Sequence, residues 1–267
     1  MRTMLLYNRL NTVVTLVAIG LLASFALPWP ARDVKLWAGS FTLSGRTLLG
    51  LLLCGLACAG ADVLVTAHPR LQPQQSRRTF LHWILPAALT TAAWTCLVWP
   101  SPFENQVLGT VAAAVLLAAL LFAEYYTVDL AARWRPLVQF ALRLFGYLLA
   151  TVLYLAVRLN VGATWALLAV ALTSAGIGLR LLSDDESHLQ QVWPYALGLG
   201  PLLALLSWVL GDWVSSPLLH SLMLAIWLYI LLNMARQFFL GKLTRWVAVE
   251  YVLVGLLALS LVLFYLR

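Results

Sequence analysis

The sequence predicts an all-α, polytopic integral membrane helix bundle. Three observations point there. Of its 267 residues, 63% are hydrophobic and only 10% are charged, against about 25% charged in an ordinary soluble domain. Nine apolar stretches fill the chain from Asn11 to Leu266, most of them close to the ~20 residues needed to cross a ~30 Å hydrocarbon core. The short gaps between them hold most of the Lys, Arg, Asp and Glu. Loops long enough for a soluble catalytic domain are missing, so the chain reads as one transmembrane helical domain over residues 1–267.

The expected spans are 11–28, 47–67, 79–99, 106–126, 136–158, 163–182, 194–211, 217–237 and 246–266. Most prolines fall between spans or at their starts, where a missing N–H costs a helix little. Pro86 and Pro201 lie inside spans and predict kinks. The seventh span is short and carries Gly198, Gly200 and Pro201, which makes it the weakest. Between the first two spans, residues 29–45 show a small hairpin pattern. Val34 and Leu36 alternate with Lys35, Phe41 and Leu43 flank Thr42, and Ala38-Gly39-Ser40 supplies the turn.

Alternate gaps sort the basic residues unequally, eleven on the side of the N-terminus and five on the other. The excess of Lys and Arg places the N-terminus in the cytoplasm and, with nine spans, the C-terminus outside. Arg77, Arg78, Arg236, Lys242 and Arg245 are the expected contacts to lipid headgroups. Scattered basic residues of this kind exclude nucleic acid as a partner, leaving the lipid bilayer and other membrane subunits. Trp29, Trp37, Trp99, Trp134, Trp193, Trp213 and Trp246 cluster near span ends, as an interfacial aromatic belt requires, and call for no cofactor. Cys54, Cys58 and Cys96 lie within spans and read as packing residues. Ala171, Ser174, Ala175 and Gly178 form one small-residue ridge, Gly55 with Ala59 another; both suit close helix packing, within the chain or with a partner.

Four ionisable residues lie in spans at one depth, near the cytoplasmic edge: Asp62, Glu124, Arg143 and Glu250. A charge at the bilayer centre costs about 2.5–3.5 kcal/mol on insertion scales, so such residues face protein or water. Glu124 and Arg143 sit on consecutive antiparallel spans, which makes them the expected couple. They either fix helix register or line a polar pocket in which Arg143 receives an anionic headgroup and the carboxylates carry protons. Ser183-Asp184-Asp185-Glu186, with His188 behind, is a weaker signal. Asp184 and Asp185 are candidate Mg²⁺ ligands for a lipid diphosphate, but a second acidic motif is wanting and a solvated turn beside Arg180 explains them as well. His68, His82 and His220 read as helix-end histidines. None of the common catalytic motifs is present.

The stretch Met234 to Tyr251, with Arg236, Gln237, Leu240, Gly241, Leu243, Thr244, Arg245, Glu250 and Tyr251, resembles the C-terminal end of an uncharacterised family of bacterial polytopic membrane proteins. That resemblance implies a bacterial inner-membrane address and no activity. The sequence therefore favours a non-enzymatic structural or accessory subunit of a membrane assembly. A carrier or flippase for a lipid or anionic amphiphile centred on Arg143 stands second, and a Mg-dependent lipid-diphosphate enzyme third.

Overall fold

The computed structural model describes residues 2–36, 39–69, 71, 79–97, 102–129, 132–183 and 189–265. Among them stand nine α-helices: α1 (Arg2–Ala26), α2 (Gly45–Thr66), α3 (Ile84–Leu97), α4 (Phe103–Thr127), α5 (Arg135–Asn160), α6 (Ala163–Leu182), α7 (Leu189–Trp213), α8 (Pro217–Phe239) and α9 (Arg245–Tyr265). Eight helical segments, the one ending in α3 counted from Thr79, are long and apolar enough to cross a membrane. A further 21-residue apolar helix, α9, follows these eight.

The all-α bundle is thus observed, with one small exception that the sequence anticipated. Strands β1 (Ala31–Leu36) and β2 (Gly39–Ser44) form an antiparallel hairpin, with Leu36 opposite Gly39 and Ala31 opposite Ser44. The expected turn at Ala38-Gly39-Ser40 is corrected: Gly39 and Ser40 belong to β2, and Ala38 lies outside the described residues.

Helix boundaries differ from the expected ones where polar residues extend a helix beyond its apolar core. The first helix starts at Arg2, with only Asn8–Ala26 suited to the membrane interior. The seventh starts at Leu189 and runs through both Pro194 and Pro201, so Pro194 is interior and not at the start. The third span opens as a 3₁₀ turn, Thr79–Trp83, before α3 begins. Pro86 consequently sits in the first turn of the α-helix, where its missing N–H is one that no intrahelical carbonyl awaits.

Chain contacts divide the molecule into two compact units, Met1–Leu142 and Arg143–Arg267. In the first, α1, α2, α3 and α4 pack on one another around Leu21, Leu53, Ala57, Leu64, Leu85 and Leu117. Cys54 ties α2 to α3 through the Thr91 hydroxyl at 3.0 Å, the packing role expected of it.

In the second unit, α6 lies close along α7. A Cβ on Gly200 would stand 2.7 Å from the Ala171 carbonyl oxygen and 3.3 Å from the Ala175 Cβ. The Ala171–Gly178 ridge is therefore filled from within the chain, and its Ser174 is buried against the Tyr154 hydroxyl at 2.8 Å. Gly55 and Ala59 are exposed instead, with no atom within 4 Å of a Cβ at Gly55. Trp134, Trp193, Trp213 and Trp246 are exposed near helix ends, as a belt at the headgroup layer demands.

Candidate functional site

Asp62 and Glu124, the two carboxylates within spans of the first unit, lie at one end of its helices. Asp62 lies in the last turn and a half of α2, Glu124 in the last turn of α4, and the 3₁₀ turn Thr79–Trp83 enters α3 beside them. Because α3 runs opposite to α2 and α4, its start is the neighbour of their ends. Two consecutive residues of that turn reach the two carboxylates. His82 Nδ1 stands 2.6 Å from Glu124 Oε2, and Trp83 Nε1 donates to Asp62 Oδ1 at 3.2 Å.

The two pairs differ in character. Glu124 is fully buried, whereas the His82 side chain keeps 20% of its surface exposed. At 2.6 Å the imidazole nitrogen and the carboxylate oxygen are within hydrogen-bond distance, with the donor role set by the His82 tautomer. The indole N–H of Trp83 can only donate, so Asp62 is the acceptor of its bond. Thr127 Oγ1 donates to the Glu124 carbonyl, one of those freed at the end of α4, and Thr66 Oγ1 to that of Asp62. Next to Glu124 in sequence, the Tyr125 ring meets His68 edge-on at 4.5 Å between centroids. Cys58 Sγ approaches the Trp83 carbonyl at 3.9 Å.

His82 is the candidate residue at this site that the sequence left aside as an ordinary helix-end histidine. Its signal was available: position 82 opens the third span on the side where Glu124 closes the fourth, and consecutive antiparallel spans place those depths together.

Arg143 and Glu250 belong to the second unit. Arg143 is half-buried on α5, and Glu250 is exposed on α9. Other polar side chains of this unit are engaged between its helices. Asn233 Nδ2 donates to the Tyr147 hydroxyl at 3.4 Å. At another place, the fully buried His220 uses Nε2 toward the Ser207 carbonyl at 3.1 Å, which fixes that nitrogen as the protonated one because a carbonyl only accepts. Arg158 Nη2 donates to the Gly211 carbonyl at 3.2 Å.

Among the expected headgroup contacts, Lys242 is exposed and Arg236 half-buried. The side chain of Arg245, and Arg77 and Arg78 entirely, lie outside the described residues. So do the candidate magnesium ligands Asp184 and Asp185. Arg180, expected to neutralise their turn, is buried in the last turn of α6, where a cation complements the helix dipole. Among the described residues, no group of three His, Cys, Asp or Glu side chains stands ready to hold a metal ion.

No curated protein and no solved structure matches the chain. One family model does match it, over residues 30–265, which is far more than the C-terminal stretch that carried the resemblance. The chain therefore belongs to the family described as Protein of unknown function (DUF5656).

Proposed function

We propose that this integral membrane protein is a carrier or flippase for a lipid or other anionic amphiphile, with proton exchange at the Glu124–His82 pair and Arg143 as the receptor for the anionic group. The observation that supports this reading is the fully buried carboxylate bonded to a histidine that keeps partial access to the surroundings. Ionisable groups within membrane helices are costly and mark substrate or proton pathways by default. A buried ion pair is a poor device for stability alone, since apolar residues of similar volume commonly do as well or better. In this reading the protein resides in a bacterial inner membrane with its N-terminus in the cytoplasm.

The test is lipid translocation in proteoliposomes, read as loss of fluorescence of an acyl-labelled anionic phospholipid when a membrane-impermeant reductant is added. Glu124→Gln and Arg143→Gln are each expected to fall to the protein-free background while keeping wild-type helix content by circular dichroism. Wild-type rates in both variants would reject the reading.

A second reading, a structural or accessory subunit of a membrane assembly, draws on a different observation. Polar groups such as the buried pair Tyr154–Ser174 and the half-buried pair Cys54–Thr91 join one helix to the next. That is the use of polar side chains as interhelical glue. Mass spectrometry of the gently extracted protein separates the two: a stoichiometric membrane partner favours this reading, and a lone monomer that translocates lipid contradicts it.

A further inference from the structure

The hairpin between α1 and α2 is built as an amphipathic ribbon. In an antiparallel pair, directly opposed residues share a face and successive residues alternate between faces. With Arg32 opposite Leu43, Val34 opposite Phe41 and Leu36 opposite Gly39, the register places Val34, Leu36, Phe41 and Leu43 on one face, with Arg32 at its base beside α1 and α2. The other collects Asp33, Lys35, Ser40, Thr42 and Ser44 through the pairs Asp33–Thr42, Lys35–Ser40 and Ala31–Ser44. A two-stranded ribbon has no second layer of its own and is marginal in water unless its apolar face is covered.

Its position says what covers it. The ribbon starts five residues after Ala26 ends α1, and β2 runs directly into α2 at Gly45. The Gly45 N–H donates to the Pro30 carbonyl at 3.0 Å, and Trp29 Nε1 donates back to the Ala23 carbonyl of α1 at 3.2 Å. The base of the ribbon is thus fixed at the level where two spanning helices end, with a tryptophan of the interfacial belt at its root. Six residues per strand at ~3.3 Å each give it a reach of roughly 20 Å. Charge agrees with this placement: Arg32 and Lys35 outnumber Asp33, which suits the phosphates of a headgroup layer.

We propose that the Val34, Leu36, Phe41 and Leu43 face of the hairpin lies on the headgroup layer of the bilayer that α1 and α2 cross, making it an interfacial anchor. The partner is the lipid surface itself, continuous with the lipid contact of the adjoining helices.

Photolabelling of the unmodified full-length protein tests this, using vesicles of phosphatidylethanolamine and phosphatidylglycerol that carry a diazirine near the glycerol backbone. Adducts mapped by mass spectrometry are expected on Val34, Leu36, Phe41 and Leu43 and not on Asp33, Lys35, Ser40 or Thr42. Labelling of α1 and α2 with none in the hairpin, or equal labelling of both faces, would overturn the proposal. Single nitroxide labels distinguish what covers the face otherwise. Placed at Val34→Cys and Phe41→Cys against Asp33→Cys and Thr42→Cys, they are expected to show a several-fold higher ratio of oxygen to nickel-chelate collision on the apolar face. Equal ratios would mean that the ribbon stands in water, and shielding of the apolar face from both reagents would mean that protein covers it; either result contradicts the anchor.

Discussion

At the scale of single residues, Glu124 is the side chain whose chemistry depends most on its neighbours. It is fully buried, and His82 holds one carboxylate oxygen at 2.6 Å. Replacing His82 by Ala removes that bond, and bonds to charged groups contribute about 1.5–3 kcal/mol. The variant is expected to lose stability in that range, read from the unfolding midpoint in mild detergent. The double variant His82→Gln with Glu124→Gln is expected to recover part of the loss, because two neutral amides can bond to each other; strictly additive losses would show that the two residues are not coupled.

Much of this site was legible from residue type alone. Asp62 and Glu124 stand out as carboxylates in apolar spans, and their common depth follows from counting residues at the helical rise. His82 was less legible, because its contact is made from a 3₁₀ turn whose spacing the apolar pattern does not mark, and an apolar span tolerates a histidine near its end for many reasons. Arg143 was legible as an intramembrane cation, but no periodicity says which of several neighbours a long guanidinium side chain takes.

At the scale of elements, helix ends and helix contacts carry the detail. The turn between α8 and α9 is a Schellman cap. Gly241 adopts φ 65°, its N–H bonds the Phe238 carbonyl, and the Lys242 N–H bonds the Gln237 carbonyl at 2.9 Å. That conformation costs an L-residue about 1–2 kcal/mol. Gly241→Val is therefore expected to destabilise by roughly that amount, and Gly241→Asn by less, in thermal unfolding.

The α6–α7 contact gives a paired test. Gly200→Val meets the Ala171 backbone oxygen and is expected to cost about 1–3 kcal/mol as overpacking does. Gly198→Ala has nothing within 4 Å and is expected to be neutral or slightly favourable, since Ala exceeds Gly in helices by up to about 1 kcal/mol. Equal losses at both positions would contradict the close approach.

Element boundaries were legible wherever a proline or a charge ends an apolar run; α6 begins and ends where expected, at Ala163 and Leu182. They were not legible where a helix continues through polar residues, as at Arg2 and Leu189, because hydrogen bonding along the backbone does not stop at the edge of the hydrocarbon. Nor was the fate of the two small-residue ridges: spacing alone does not tell a filled groove such as Ala171–Gly178 from an open one such as Gly55–Ala59.

At the level of the whole molecule, helix length and exposed apolar surface both call for a membrane. Eight segments have the length and hydropathy to cross it, and α9 follows as a further apolar helix. Most helices expose large apolar residues, among them Leu51, Leu52, Val115, Leu148, Leu172 and Leu257, on faces that water would not tolerate in a soluble bundle. The unequal distribution of Lys and Arg then predicts the sidedness of each loop. Its most direct measurement is labelling of single cysteines by a membrane-impermeant maleimide in intact cells, with one cysteine placed in each connection of the full-length protein. Alternating protection is expected, with Gln74 and Lys242 shielded in intact cells and Lys35 and Asp212 labelled. Two successive connections labelled from the same side, or release of the protein from membranes by alkaline carbonate, would contradict the account.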